Sequence, residues 1–185
     1  VVSSTGVRPQ ESKILAIDKW PTPTSQTKVR QFLGLANYYR QYVHNFSHKA
    51  KPLTDLLKKD ATFTTDTSAD DSAPLQAFRD LKLSLCQAPC LVLPDQRAAK
   101  DSTRPYVLQT DASQVAVGAV LMQDQGQGLQ PIAFASRSLI AAEQNYSTTD
   151  RELLGIVYAT WSWRHLITNA HCILQGDHKP LEQLF

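Results

Sequence analysis

The sequence is poor in cysteine and contains no long apolar run, and each absence excludes a class of protein. No run approaches the roughly 18 apolar residues that a membrane-spanning helix requires. The amino terminus lacks the basic and apolar regions of a signal peptide, so we expect an intracellular protein that is neither exported nor inserted into a membrane. Cys86, Cys90 and Cys172 are too few, and odd in number, for a disulfide framework. No second Cys/His pair follows at zinc-ligand spacing, so we expect free thiols.

The sequence does contain enough apolar residues for a core, together with an uneven distribution of charge. Its 185 residues are 42% hydrophobic, which excludes a disordered chain and allows one ordinary domain or two small ones. Residues 1–60 contain ten Lys/Arg and four Asp/Glu, a net charge of +6, whereas residues 61–185 contain nine and thirteen, a net charge of −4. This asymmetry indicates an acidic partner for the first part and cation-binding carboxylates in the second. A solvated charge imbalance without function explains the same numbers.

Helical periodicity dominates the first half of the chain. A short amphipathic helix is predicted between Pro9 and Trp20, and a third helix over about Ala50 to Lys58. The clearest helix is predicted between them, over about Ser25 to Asn45, on apolar residues spaced three and four apart. These residues are Val29, Phe32, Leu33, Ala36, Tyr39 and Val43. Residues 1–60 are therefore expected to form a small helical unit with a basic surface.

The second half changes to the pattern of strands, after a polar segment at 60–74 and a helix predicted at 75–85. Short β-favouring runs separated by turn residues predict an antiparallel meander. The meander comprises three predicted strands: Pro105 to Thr110, Val115 to Gln123 and Gln130 to Ser136. A short strand is predicted before it, at Leu91 to Leu93, and another after the long helix, at Cys172 to Gln175. A long helix is predicted over about Thr149 to Ile167. Its expected buried face carries Leu153, Leu154, Val157 and Trp161.

Three acidic residues stand where strand ends and a helix start can converge at one edge of a sheet. Asp111 ends a predicted strand, Glu152 lies in the first turn of the long helix, and Asp177 follows the last strand. Converging carboxylates repel one another unless cations neutralise them, and oxygen ligands favour Mg²⁺ or Mn²⁺ over zinc. Two such ions about 3.5–4 Å apart can activate a water and stabilise the leaving oxygen in phosphodiester hydrolysis.

Each acid also has a purely structural explanation. Asp111 can begin a turn by bonding its own backbone, and Glu152 stands three residues after Thr149, at the spacing of a capping box. Asp177 can cap a last helix, which is predicted to begin at Lys179 or Pro180. Spacing alone leaves both explanations open.

Two groups of motifs resemble the polyproteins of gypsy-type LTR retrotransposons, and the resemblance covers nearly the whole chain. The series TDAS, DRELL and GDHK is similar to their ribonuclease H domain, and FLGLANYYR is similar to the thumb of their reverse transcriptase. The resemblance implies an α/β (α+β) fold, in which a helical thumb-like unit precedes a ribonuclease H-like domain with a mixed five-stranded sheet and flanking helices. It places the end of the palm and the thumb at 1–60, a linker and connecting helix at 61–89, and the incomplete ribonuclease H-like domain at 90–185.

The resemblance also implies an activity and a site. The parent activity is divalent-metal hydrolysis of RNA in RNA–DNA hybrids, alongside RNA-directed DNA synthesis. Asp111, Glu152 and Asp177 are the implied catalytic residues and the ligands of two Mg²⁺ or Mn²⁺ ions. The implied partners are an RNA–DNA hybrid or template–primer duplex and the remainder of the polyprotein, in the cytoplasm or in a virus-like particle. Phosphate contacts are assigned to five basic residues of the thumb: Lys28, Arg30, Arg40, Lys49 and Lys51.

Departures from the family pattern keep other hypotheses open. Gly176 stands where the family usually has Thr, and Phe63 to Thr65 stand where it commonly has a Trp. The resemblance implies that the polymerase aspartates lie upstream of Val1. It also implies that a further helix, with a fourth metal-site residue, follows Phe185. We therefore expect a truncated domain. One alternative is a non-catalytic retrotransposon remnant that at most binds nucleic acid without sequence preference, and another is a structural module.

Overall fold

The computed structural model describes residues 1–3, 6–59, 61 and 72–176, which fold around two hydrophobic cores. In chain order the elements are β1 (Val2–Ser3), β2 (Gly6–Val7), α1 (Glu11–Asp18), α2 (Gln26–Tyr38), a 3₁₀ turn (Arg40–Tyr42), α3 (Phe46–Asp55), α4 (Ala73–Cys86), α5 (Gln96–Lys100), β3 (Tyr106–Ala112), β4 (Ala116–Asp124), β5 (Leu129–Ser138), a second 3₁₀ turn (Glu143–Asn145), α6 (Thr148–Ser162), α7 (Arg164–Ile167) and β6 (Cys172–Gln175). Most of the predicted polar segment at 60–74 lies outside the described residues. No described helix is both long and apolar enough to cross a membrane.

Helices α1 to α4 build the first core. The hydroxyl of Ser25 caps α2 by accepting a hydrogen bond from the backbone N–H of Lys28 at 3.3 Å. The predicted apolar stripe is buried, although the α-helix ends at Tyr38, and the 3₁₀ turn follows where one continuous helix was predicted. Phe32 of α2 meets Phe78 of α4 edge to face, with ring centroids 4.6 Å apart. Helix α4, predicted as part of a connecting segment, therefore packs within the helical core.

The second core lies between α6 and a mixed sheet with the strand order β5-β4-β3-β6. Strands β3, β4 and β5 form the predicted antiparallel meander, and β6 runs parallel to β3. This mixed sheet confirms the predicted fold class. It has four strands within the described residues, rather than five. Leu91 makes only an isolated bridge to Val7, and Val92 donates one backbone hydrogen bond to Pro131, so residues 91–93 add no strand.

Strand β4 is buried on both faces. Residues 116–121 are buried in succession, without the alternation of a half-exposed strand. Helix α6 packs against β3 and β4 from one side, and α3 packs against β4 and β5. Neighbouring residues of β4 face opposite sides of the sheet. Gly118 faces Asn45 at the start of α3, whereas Val117 faces Gly155 of α6. The helical unit is therefore docked on the sheet.

Small residues line the face of α6 that packs on the sheet, and of the four residues predicted there only Leu153 and Leu154 are half-buried. Gly155 and Ala159 are buried, whereas Val157 and Trp161 are 62% and 66% exposed. A Cβ on Gly155 would lie 3.6 Å from Cβ of Thr110, so the helix backbone lies close to the sheet. Small residues permit this approach, and large ones on the same face would hold the helix away. Apolar periodicity misidentified the face because glycine and alanine contribute little to it.

Candidate metal site and the interface beside it

Asp111 lies at the carboxyl end of β3, on the sheet face that the helical unit covers. It pairs with Gly118 across the β3–β4 ladder and is exposed. Successive strand residues face opposite sides of a sheet, so Thr110 faces α6 while Asp111 faces the start of α3. The candidate carboxylate therefore lies where the two units meet.

Two clefts border Asp111. The larger, about 720 Å³ in volume, is lined by His44, Gln109, Thr110, Asp111, Gln175 and Gly176. The smaller, about 370 Å³, is lined by Asn45, His48, Asp111, Ser113, Ala116, Val117 and Gly118. Asp177 lies outside the described residues and follows Gly176 directly in the sequence. The structure thus places Asp111 beside the segment that leads into the third expected ligand.

Glu152 belongs to α6, which packs on the opposite face of the sheet from the Asp111 side chain. It is half-buried and lines neither of the two clefts. The cap of α6 is formed by Ser147, whose hydroxyl accepts from the N–H of Asp150 at 3.1 Å and donates to the Asp150 carboxylate at 2.7 Å. The explanation of Glu152 as a capping-box partner of Thr149 is therefore wrong. Glu152 lies in the second turn of the helix rather than the first.

The turn after β3 is formed by Ser113, not by Asp111. The Ser113 hydroxyl accepts hydrogen bonds from the N–H groups of Val115 at 3.3 Å and Ala116 at 3.1 Å. The backbone N–H of Ser113 donates a hydrogen bond to the carbonyl of Ala116 at 2.9 Å. Asp111 lies inside the strand, so its explanation as a turn-starting residue is also wrong.

The Asp111 carboxylate accepts a hydrogen bond from Asn45, which stands 66 residues earlier in the chain. Asn45 Nδ2 lies 2.6 Å from Asp111 Oδ2. Asn45 precedes α3 with φ 53° and ψ 37°, a left-handed conformation in which Asn is enriched, and its side chain does not cap the helix. Sequence analysis did not identify this residue. The only local signal was an asparagine between two helical segments.

Ser136 of β5 is the second polar contact between the units, and it is 2% exposed. Its hydroxyl accepts from the N–H of Ser47 at 2.9 Å and donates to the Ser47 hydroxyl at 3.1 Å. Its carbonyl accepts from the Arg40 guanidinium and from the Tyr158 hydroxyl at 3.1 Å. One residue of an edge strand is therefore bonded to the helical unit and to α6 at once.

His44 stands at the mouth of the larger cleft, with its ring edge-on to Phe134 at 5.8 Å. Partial desolvation lowers the pKa of His44 below its usual value, although much of the residue remains exposed. The Asp111 carboxylate acts in the opposite direction, and the Lys49 ammonium adds to the lowering. The net effect of this environment is a pKa of His44 below that of a free imidazole.

The five basic residues expected to contact phosphates divide into two groups. Lys28 and Arg30 are exposed on α2 and form no ion pair within the described part of the chain. The other three bond to the protein: Arg40 to the Ser136 carbonyl, Lys49 to the Ser84 hydroxyl at 2.8 Å, and Lys51 to Asp55 at 2.6 Å. The exposed cations of α2 are therefore the stronger candidates.

The chemistry of the donor at Asp111 fits a hard divalent cation. A carboxylate offers about four lone-pair sites, and the Asn45 amide uses one of them, so oxygen sites remain for Mg²⁺ or Mn²⁺. Among the described residues no three His, Cys, Asp or Glu side chains form a group that could hold a metal. Asp177, one of the three expected ligands, is outside that part of the chain.

An ion pair fixes the segment that joins β5 to α6 and so positions the helix that carries Glu152. Arg137 binds Glu143 through two hydrogen bonds of 2.7 and 2.8 Å, and the Ile140 N–H donates to the same carboxylate at 3.0 Å. The Arg137 guanidinium also lies over the Tyr158 ring, 5.6 Å from its centroid. The hydrogen bonds from Arg137 lower the pKa of Glu143 from its ordinary 4.5 to about 2.

The Arg137–Glu143 pair predicts a loss of stability in acid. Because the pKa of Glu143 is lowered on folding, the stabilisation is complete above about pH 4.5 and is lost as the pH falls toward 2. The Arg137 side chain is 30% exposed, so we expect about 1–2 kcal/mol. Urea unfolding of the wild type and of Glu143→Gln, from pH 7 to pH 2, measures this contribution. The two free energies of unfolding should converge in acid, and a constant difference contradicts the assignment.

Comparison with known proteins places the chain among reverse transcriptase sequences. Residues 71–174 match the model of an RNase H-like domain found in reverse transcriptase. The chain is 39% identical over 184 residues to the retrovirus-related Pol polyprotein from transposon 297 of Drosophila melanogaster, covering 100% of this chain and 16% of that protein. It is 35% identical over 185 residues to the corresponding gypsy polyprotein of the same organism, covering 98% and 17%. The chain thus spans about a sixth of the length of these relatives.

Solved structures agree on the fold. The foamy viral protease–reverse transcriptase dRH in complex with double-stranded DNA matches 99% of this chain and 30% of its own, with a TM-score of 0.76 and 20% identity. The match to the foamy viral protease–reverse transcriptase in complex with an RNA/DNA hybrid covers 99% of this chain and 24% of that protein, with a TM-score of 0.75 and 20% identity. With the family match over more than half of its length, the chain belongs to the RNase H-like domains of reverse transcriptases, and its relatives are the Pol polyproteins of retrotransposons.

Proposed function

We propose that this chain is a thumb and nuclease portion of a retrotransposon reverse transcriptase, and that it hydrolyses the RNA strand of RNA–DNA hybrids. Asp111, Glu152 and Asp177 are the proposed catalytic residues and metal ligands. The proposed cofactor is a pair of Mg²⁺ or Mn²⁺ ions. The proposed setting is intracellular, in the cytoplasm or a virus-like particle, with the rest of the polyprotein as partner.

The observation that carries this proposal is the position of Asp111. Its carboxylate is exposed at the carboxyl end of β3 and borders the cleft that Gln175 and Gly176 line. Strands β3 and β6 are parallel, so their carboxyl ends lie at the same edge of the sheet. Asp177 follows β6 by two residues in the sequence, which supports its assignment to the same site as Asp111.

The chemistry divides between the ions and the chain. When bound, divalent ions supply an activated water and stabilise the leaving oxygen of an in-line displacement at phosphorus. The chain's own contribution is to hold the anionic oxygens of Asp111 at the sheet edge, beside the cleft that Gln175 and Gly176 line.

The experiment that tests the proposal is a cleavage assay with an RNA–DNA hybrid labelled on the RNA strand. With Mn²⁺ or Mg²⁺ present, we expect the RNA strand to be cut while the DNA strand and a DNA duplex of the same sequence stay intact. Chelation of the metal should stop the reaction because the water is no longer activated. A folded chain that binds the hybrid but leaves the RNA strand intact would contradict the proposal.

A second candidate is a non-catalytic module that binds nucleic acid. The Asn45–Asp111 hydrogen bond favours it, because it gives Asp111 a role in joining the two units without any metal. The location of Glu152 on a helix of the opposite sheet face favours it as well. Under this hypothesis, Asp111→Ala, which removes the acceptor of the Asn45 hydrogen bond, destabilises the interface and leaves hybrid binding unchanged.

A further inference from the structure

The side chain of Asn45 lies against Asp111 and Gly118, and it fits there only because residue 118 has no side chain. A Cβ at Gly118 would lie 1.8 Å from Asn45 Oδ1 and 2.9 Å from its Cγ. Both distances are below the 3.0 Å under which real Cβ contacts essentially never fall, and the first is far below it. Gly118 is also the cross-strand partner of Asp111, so the space that the Asn45 amide occupies lies next to the Asp111 carboxylate.

The orientation of the Asn45 amide is costly for the protein. Its Oδ1 is buried and has no hydrogen-bond partner within the described residues, and an unpaired buried acceptor destabilises the folded state. The residue occupies the position before α3, where an Asn side chain commonly caps the helix, and it makes no such bond. It also holds a left-handed backbone conformation. The Nδ2 donor instead faces Asp111 at 2.6 Å.

We propose that Asn45 is a positioning residue through which the helical unit orients the Asp111 carboxylate for metal binding. This inference rests on the proposed function of Asp111. A carboxylate at a strand end rotates freely unless a neighbour bonds one oxygen. Asn45 bonds Oδ2 and so restricts the rotation of the carboxylate, which leaves Oδ1 and the remaining lone pairs as acceptors for a cation. Outer partners of this kind change metal affinity by about 10- to 100-fold.

The test measures Mn²⁺ affinity by calorimetry on the full chain, independently of any cleavage. Asn45→Gly removes the amide and keeps a residue that tolerates a positive φ. Gly118→Ala displaces the amide and leaves both Asn45 and Asp111 chemically unchanged. We expect each variant to raise the Mn²⁺ dissociation constant by about 10-fold or more. Circular dichroism confirms that each variant is folded.

Two control variants separate positioning from general loss of structure. Ser47→Ala removes a hydrogen bond with Ser136 in the same interface without touching Asp111. Gly34→Ala makes the same chemical change as Gly118→Ala, at a site where a Cβ meets nothing within 4 Å. Both should bind Mn²⁺ within about twofold of the wild type.

The outcomes distinguish failure of this inference from failure of the proposed function. If Asp111→Asn abolishes Mn²⁺ binding but Asn45→Gly and Gly118→Ala do not weaken it, the positioning role is overturned and the metal site stands. Equal weakening by Ser47→Ala also overturns the positioning role, since it would reflect docking alone. If the wild type binds no Mn²⁺, or Asp111→Asn binds it normally, both proposals are overturned.

Discussion

Replacing Asp111 with Asn is expected to lower the rate of metal-dependent RNA cleavage at least about 1000-fold, which is about 4 kcal/mol of the activation barrier. The substitution removes one negative charge at the end of β3 with almost no change in shape. An amide oxygen remains as an acceptor for Asn45 Nδ2, so the interface between the units should persist. Cleavage of a labelled hybrid at saturating Mn²⁺ measures the effect.

A matched control for Asp111→Asn makes the same change of charge at a distant exposed position. Asp80 lies on α4 and is exposed. Asp80→Asn should cleave at the wild-type rate. Equal loss in the two variants would indicate an effect of net charge on hybrid binding. Wild-type cleavage by folded Asp111→Asn would contradict the metal-ligand role and favour Asp111 as an interface residue.

Nucleic-acid binding by the basic helical unit is expected to fall steeply with salt. Each phosphate that the protein neutralises contributes about −0.9 to the slope of log affinity against log salt. Four such contacts would lower the affinity for a duplex about 100-fold between 50 and 200 mM salt. Fluorescence anisotropy with hybrid and DNA duplexes of unrelated sequence measures both the slope and the lack of sequence preference.

Reversing the two exposed cations of α2 tests where the duplex binds. Lys28→Glu with Arg30→Glu should weaken binding at least about 10-fold at 50 mM salt and make the slope shallower by about 2. A control with the same change of charge is Arg97→Glu with Lys100→Glu, two exposed residues of α5. The α5 double variant should bind the duplex more tightly than the α2 double variant. Salt-insensitive binding, or equal loss in both double variants, would contradict a specific role for the helical unit.

Local sequence signals determined the elements whose neighbours lie close in the chain. The three- and four-residue spacing of Val29, Phe32, Leu33 and Ala36 predicted α2 because one helix face alone must meet the core. The strand runs after residue 105 predicted the meander because short connections join adjacent antiparallel strands. The TDAS, DRELL and GDHK motifs identified the family. The helix and the meander were predictable because each depends on residues that are close together in the chain, and each motif is itself a short local run.

Only the tertiary structure decided what each element packs against. Apolar side chains are interchangeable in a periodic pattern, so the sequence could not show that α6 buries Gly155 and Ala159 in place of Val157 and Trp161. The bond from Asn45 to Asp111 joins residues 66 apart, and no local spacing rule connects them.

Arg40, predicted to contact phosphate, is held by the Ser136 carbonyl because the helical unit docks on the sheet. Whether a charged side chain faces solvent or a protein partner depends on that docking. The spacing of apolar residues in a sequence specifies which face of each helix or strand is apolar. Which element packs against that face is decided by the shape complementarity of surfaces that are distant in the sequence.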